Sequence, residues 1–294
     1  MRTRTKSIKR VGLYANPEKV SGRSVVQKAA HLVRQNGRLG FSTAETAAWC
    51  KIKVPVFQEA AALGRAVDLL LVFGGDGTML RVARELRGTS TPILGIKVGG
   101  LGFLTAAPSQ KLRQALAQIW EGKFSTEPRQ LIEADCPMDG KSATLHALND
   151  FVLSRGATSR LIELEVRIDG EVLTRYRCDG LIVSSPTGST AYSLAAGGAV
   201  VSPTAEVFTL TPVCPHTLSN RSVIVRLDSK LEVKVLSRTV ETILTADGQV
   251  QTPLIAGDVV TIRRSRASIR LVRLAGTSFF ETLRAKLNWS GSNV

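Results

Sequence analysis

The stretch from Val67 to Arg81, VDLLLVFGGDGTMLR, constrains this chain more than any other. Leu69 to Phe73 is an unbroken apolar run, the pattern of a strand buried on both faces of a parallel sheet. Gly74, Gly75 and Gly77 follow at once. Glycine permits positive φ and leaves no Cβ between the backbone and a ligand. The spacing predicts a helix over Met79–Leu86, with Thr78 as its cap. A helix start presents free N–H groups that favour a phosphate. Asp76 lies inside this anion-friendly turn, where electrostatics alone would not put it, and a carboxylate beside phosphates suggests work on a proton or a metal ion. Strand–Gly–Gly–helix turns with an Asp also occur as plain turns, so the turn alone leaves both meanings open. It is neither GxxxxGK[ST] nor GxGxxG, so a P-loop and the usual dinucleotide fingerprint are not indicated.

The chain has 294 residues, enough for two domains or one large one, and 44% of them are hydrophobic, enough for a sizeable core. The longest apolar runs are strand-sized, so no membrane span is expected. The basic start, MRTRTKSIKR, reads as weakly ordered and lacks the apolar segment of a signal peptide, which makes the cytoplasm the expected location. Cys50, Cys136, Cys178 and Cys214 form no CxxC pair, and there are only three histidines. Buried thiols in a reducing compartment are expected rather than a zinc site. The formal charge of +15 draws polyanions, either nucleic acid or phosphorylated small molecules. The basic residues are scattered apart from Arg263, Arg264 and Arg266, and aromatics make up only 5%. A nucleic-acid surface is therefore not expected.

Along the chain, Val11–Ala15 reads as a first strand and Ser24–Arg34 as a helix ending before Asn36-Gly37. His31 lies in that helix with no second ligand at helical spacing. Thr43–Ala48 reads as helical. Pro92–Val98 is another buried strand and runs into a second glycine-rich crossing, Gly99-Gly100-Leu101-Gly102. Alternating strands and helices predict an open α/β layer, with such loops gathered at the carboxyl ends of its strands. Leu112–Trp120 reads as a helix. From near Phe124 the pattern shifts to alternation, with strands at Leu161–Ile168, Ser222–Val225 and Leu231–Leu236 and hairpin turns at Asp169-Gly170 and Asp247-Gly248. The expected organisation is a Rossmann-like α/β domain over residues 1–125, a mainly β domain over 126–270, and a tail over 271–294. Within the tail, Phe279–Leu287 forms a short amphipathic helix packing back on the first domain.

One segment of the β region does not read as ordinary sheet. DGLIVSSPTGSTAYSLAAGG, Asp179–Gly198, is an apolar strand, a hydroxyl-rich turn and a run of small residues. Its hydroxyls and open N–H groups suit ribose and phosphate oxygens, and Tyr192 offers a ring face for a base. An N-capped helix after a Ser/Thr turn would look the same. Asn149-Asp150, before the strand Phe151–Leu153, could read a ribose edge or be an ordinary turn.

Together and in this order, GGDGT at Gly74–Thr78, Asn149-Asp150 and the Asp179–Gly198 segment resemble the NAD kinase family. The likeness continues through Pro215-His216-Thr217-Leu218 and Asp247-Gly248-Gln249 to the tail. GGDGT alone is shared with diacylglycerol-type lipid kinases, sphingosine kinases and, more loosely, phosphofructokinases; the PTGSTAY segment is what discriminates. The resemblance implies an α/β domain followed by a β-sandwich domain. It implies transfer of the γ-phosphoryl of ATP to the 2′-hydroxyl of the adenosine ribose of NAD, with a divalent metal, Mg²⁺ delivered with ATP, in a homodimer or homotetramer. A lipid kinase and a non-catalytic dinucleotide-binding protein are the competing classes, and ATP against polyphosphate as donor stays open.

Carried over position by position, the resemblance makes Asp76 the proton acceptor, with Gly77 beside it on the dinucleotide and Arg81 near a phosphate. Asn149 and Asp150 fall at the adenosine ribose. Thr190, Ala191, Tyr192 and Ser193 line the dinucleotide pocket. Arg177 and Asp179 precede them on the same strand, Gln249 is a further contact and Arg160 a weaker match. Two positions depart from the family pattern: Asp150 stands where many members carry Glu, and Ser222 where a proline often stands.

Overall fold

The first strand and the GGDGT strand pair directly with one another. In the computed structural model, which describes residues 8–17, 22–100, 102–138, 140–157, 160–216 and 221–289, β1 (Arg10–Ala15) runs parallel to β4 (Leu69–Gly74), Val11 opposite Leu69. The basic start up to residue 7, Leu101 and Thr217-Leu218 lie outside the described residues.

The chain divides into two compact units, Met1–Pro128 with Ser268–Val294, and Arg129–Ala267. In the first, β1 leads to α1 (Arg23–Gln35), β2 (Leu39–Thr43), α2 (Ala44–Cys50), β3 (Val56–Phe57) and α3 (Ala60–Ala66). After β4 come α4 (Asp76–Glu85), β5 (Pro92–Lys97), β6 (Ala107–Pro108) and α5 (Leu112–Trp120). The strands form a parallel sheet in the order β3-β2-β1-β4-β5. Connections leave β1 in one direction and β4 in the other, so the carboxyl ends of these neighbours mark the switch point where α/β sheets place ligands. Every residue of β4 is buried, as its unbroken apolar run requires. Its side chains join those of β1, α1 and α5 in one core with Val272 and Leu274 of the tail.

The sequence pattern missed β2, β3 and α3. β3 has two residues and β2 is half-exposed, so neither carries a sustained apolar period. His31 is exposed on α1. The tail helix (Phe279–Leu287) is fixed at its start by a capping box between Ser278 and Glu281. Phe279 packs its ring 6.5 Å from that of Phe103.

The second unit is antiparallel. It contains the greater part of β7 (Phe124–Met138), then β8 (Lys141–Ala147), β9 (Asp150–Arg155), β10 (Ile162–Ile168), β11 (Glu171–Cys178) and β12 (Gly180–Ser184). Next come α6 (Tyr192–Ala195), β13 (Val207–Val213), β14 (Val223–Arg226), β15 (Leu231–Val235), β16 (Thr242–Ala246), β17 (Val250–Leu254) and the first part of β18 (Val259–Leu274). One sheet runs β14-β13-β12-β9-β16-β17. The other places β10 between β11 and β15, and β15 beside β18. Side chains from both close a single core around Phe151, Leu181 and Phe208, the interior of a β-sandwich. Three of the four cysteines are buried as expected; Cys214 is exposed.

Candidate functional site

In the first unit, a candidate site is built at the end of β4. Gly75, in extended conformation, is the N-cap of α4, and its carbonyl accepts from the N–H groups of Thr78 and Met79 at 3.0 and 3.1 Å. The helix therefore starts at Asp76, and Thr78 is a buried residue of its first turn rather than the cap that the sequence suggested. An acid in a first helical turn complements the helix dipole. The position of Asp76 is thus electrostatically favourable, against the sequence-based expectation.

The Asp76 carboxylate is held by the second glycine-rich loop. Oδ2 accepts the N–H of Phe103 at 2.9 Å and Oδ1 that of Leu104 at 3.2 Å. Gly102 makes the approach possible, because a Cβ there would overlap the carboxylate. Two glycine-rich segments that read as separate crossings are therefore one structure, with a half-buried carboxylate between them. Gly77 beside it is exposed. Arg81, one turn further along α4, is bound through Nε to Glu85 at 2.8 Å, and Glu85 also accepts from the buried Tyr14 hydroxyl at 3.2 Å.

In the second unit, a candidate cluster lies where β9 begins beside the end of β12, Asp150 opposite Ser184. Asn149 and Asp150 are both buried. The Asn149 carbonyl accepts from the Ser185 N–H at 2.8 Å and the Ser184 hydroxyl at 3.3 Å. Gly188 sits against that carbonyl, where a Cβ would collide with backbone. The Pro186–Thr190 turn is thus fastened to the Asn-Asp pair. It forms a 3₁₀ turn over Thr187–Thr190, and its hydroxyls are largely engaged within the fold. Ser189 donates to the Pro186 carbonyl, Thr190 to that of Thr187, and buried Ser193 pairs with Thr211 at 3.1 Å. The expectation of several open hydroxyls is corrected accordingly. Thr190 and Ala191 are half-exposed, Tyr192 is 49% exposed, and Gln249 is exposed on the β16–β17 turn.

Arg160, Arg177 and Asp179 do not join this cluster. Asp179 adjoins the opposite end of β12, where Gly180 pairs with Ser154. It forms an ion pair with Arg155 at 2.7 Å. Arg177 is exposed and faces Glu163 at 3.8 Å, and Arg160 is exposed just before β10. The ion-pair partner Arg155 has no signal in the sequence. Buried Arg129, which donates to the Thr187 hydroxyl at 3.3 Å, has none either.

Asp247 is a further residue whose place the sequence pattern hid. Its Oδ1 accepts from the N–H groups of Asn149 at 2.7 Å and Asp150 at 3.4 Å, and its Oδ2 from that of Leu148 at 3.1 Å. Burial, reinforced by this neighbouring carboxylate, pushes Asp150 up to about 7. The folded state therefore holds a proton that the unfolded chain releases near pH 4. The stabilisation is complete below that range and is lost as pH rises through about 7. Asp150→Asn should match the parent in melting temperature at about pH 3.5, with a gap in its favour that opens above about pH 4 and is full at about pH 8.5. At ~1.4 kcal/mol per pKa unit the gap corresponds to a few kcal/mol. Equal melting temperatures at both pH values would contradict the assignment.

A family model of the ATP-NAD kinase N-terminal domain matches residues 45–124, and one of the ATP-NAD kinase C-terminal domain matches residues 148–274. An NAD kinase of Moorella thermoacetica is 42% identical over 287 residues, covering 97% of this chain and 91% of the relative. The chain belongs to the NAD kinase family. An NAD kinase of Symbiobacterium thermophilum is 46% identical over 223 residues, covering 76% of this chain and 79% of the relative. Among solved structures, yeast NADH kinase complexed with NADH superposes with a TM-score of 0.88 at 27% identity, covering 98% of this chain and 90% of that one. An NAD kinase from Archaeoglobus fulgidus in complex with ATP gives 0.71 at 26% identity, covering 96% and 100%. The N-terminal NAD kinase match contains Asp76 and the Gly102 loop; the C-terminal one begins at Leu148 and contains the Asn-Asp pair, the PTGSTAY segment and Asp247. No helix among the described residues is long and apolar enough to cross a membrane.

Proposed function

We propose that this chain transfers the γ-phosphoryl group of ATP to the 2′-hydroxyl of the adenosine ribose of NAD, forming NADP. The observation that carries the chemistry is Asp76, a carboxylate at the N-terminus of α4 oriented by two backbone donors. Each of its oxygens retains a lone pair beyond the amide it accepts. Phosphoryl transfer depends on positioning and charge neutralisation more than on covalent chemistry. Asp76 takes the proton of the attacking hydroxyl, while Gly77 and the α4 start supply backbone donors for phosphate oxygens.

In the second unit, Asn149 and Asp150 hold the adenosine ribose. Thr190, Ala191 and Tyr192 border the dinucleotide, and Gln249 extends that border. Ser193 is buried with its hydroxyl engaged, so its contribution is to hold the α6 start. Arg160, Arg177 and Asp179 contact the dinucleotide from outside that border, and Arg81 reaches a phosphate by leaving Glu85. The named activities of the relatives, and of the two structures with NADH and ATP, support NAD and ATP as the substrates.

Among the described residues, no group of three or more His, Cys, Asp or Glu is arranged to hold a metal ion. A single carboxylate engaged with two amides fits a divalent ion such as Mg²⁺ that arrives on the phosphates of ATP, where it neutralises charge on the transferring group. A cytoplasmic location and a homodimer or homotetramer belong to the same proposal. The protein's charge of +15 lowers the cost of gathering two anionic substrates.

The test is purified protein with Mg²⁺ and γ-labelled ATP, offered NAD, NADH and diacylglycerol separately, with inorganic polyphosphate as an alternative donor. Label at the 2′-position of the dinucleotide is expected. Label on the lipid, or binding of NAD without NADP, would overturn the proposal. Tyr192→Ala should raise KM for NAD by about 5- to 100-fold, the ~1–3 kcal/mol of a lost base–aromatic stack, with kcat little changed. An unchanged KM would place the base elsewhere.

A further inference from the structure

Two Asp-Gly turns of this chain have nearly the same backbone and different surroundings. Asp169-Gly170 joins β10 to β11 with φ of 52° and 89°, and Asp247-Gly248 joins β16 to β17 with φ of 52° and 64°. The first is a two-residue hairpin loop between Ile168 and Glu171, the second a three-residue loop between Ala246 and Val250; both put Asp and Gly in the left-handed region, which suits an Asp-Gly pair. The Asp169 side chain is exposed and accepts from one N–H, that of Lys230 at 2.8 Å. Asp247 is buried, and its carboxylate accepts from three successive N–H groups of another segment, Leu148 to Asp150. Turn chemistry accounts for the first and leaves the second unexplained. A hairpin needs no buried anion at this corner, and burying one has a cost that only such charge-assisted bonds offset.

What the anion grips is the backbone that carries the two ribose-assigned side chains. We propose that Asp247 is a positioning residue for the dinucleotide site, fixing the Leu148–Asp150 backbone so that Asn149 and Asp150 present their side chains to the ribose. The inference rests on the assignment of Asn149 and Asp150 to the dinucleotide. The second effect of Asp247 is electrostatic. Its charge is the one that bears on Asp150 among the described residues. The strands flanking β9, β12 with sequence GLIVS and β16 with TILTA, carry no titratable side chain. Asp247 therefore opposes ionisation of Asp150 while holding it in place, and Asp150 faces a neutral dinucleotide hydroxyl as an acid or as a carboxylate according to pH.

The test compares Asp247→Asn, Asp247→Ala and Asp150→Asn in the full-length protein, measuring kcat and KM for NAD between pH 5.5 and 9 and melting temperature across the same range. Asp247→Ala loses the three acceptor bonds and should raise KM for NAD about tenfold or more, the equivalent of one or two net hydrogen bonds, with a smaller change in kcat. Asp247→Asn retains an acceptor oxygen for Asn149 and Asp150 and should recover most of that loss. It also removes the opposing charge, so the inflection of KM against pH that reports Asp150 should move to lower pH. Asp150→Asn should abolish the inflection. An unchanged KM in Asp247→Ala beside a raised KM in Asp150→Asn would overturn the inference alone, as would an inflection that stays in place in Asp247→Asn. An unchanged KM in Asp150→Asn would overturn the ribose assignment, and the inference with it. Should Asp247→Ala not fold, the asparagine variant carries the decision through its pH profile.

Discussion

Asp76→Asn should lower turnover by about 10²- to 10⁴-fold, the usual worth of a general base, while the affinity for NAD stays close to that of the parent. The asparagine is isosteric and can still accept one of the two amide bonds from the Gly102 loop, so the local backbone should persist. A group that acts only in the transition state changes kcat and kcat/KM together and leaves ground-state binding alone. Single-turnover kinetics with labelled ATP, alongside NAD binding measured by calorimetry, give both quantities. A loss below tenfold would show that the hydroxyl loses its proton by another route.

Gly102→Ala is the second large effect, and it leaves the base chemically intact. The added methyl group falls on the Asp76 carboxylate, which must swing away or carry the loop with it. Displacement of a reacting group by about 1 Å can cost roughly 10²-fold in rate, and a loss of that order is expected in kcat. Overpacking adds a stability cost of about 1–3 kcal/mol, which a melting curve separates from the kinetic effect. A variant with full turnover would show that the amide-held carboxylate geometry is not the working one.

The elements that position the candidate residues of each unit were legible where one physical signal dominated. Leu69–Phe73 is apolar without interruption because β4 is buried on both faces. Asp169-Gly170 marked a hairpin because its left-handed backbone suits few other pairs. The strands at Ile162–Ile168 and Leu231–Val235 alternate because one face meets the sandwich core. The Thr78 cap failed for a local reason, because the Gly75 carbonyl accepts from Thr78 and Met79 and the helix starts at Asp76. Elsewhere legibility failed where the decisive contact was long-range. Hydroxyls of the PTGST segment looked available because a sequence does not show that Arg129, fifty-eight positions earlier, donates to that of Thr187. Arg177 and Asp179 precede the turn closely in sequence, yet β12 carries them to its far end. Asp247 was the hardest to see, since its dipeptide is the same as that of an exposed turn and its three partners lie about a hundred residues earlier.

The chemistry requires the Asp76 carboxylate to reach the oxygen that accepts the phosphoryl group. A crystal structure of the protein with NAD and a non-hydrolysable ATP analogue measures that distance directly. The expected result is a carboxylate oxygen within about 2.6–3.2 Å of the adenosine 2′-oxygen, with at least one amide of Phe103 or Leu104 still bound. A carboxylate turned away from the adenosine ribose, with another group at hydrogen-bond distance from the 2′-oxygen, would contradict the proposed role of Asp76.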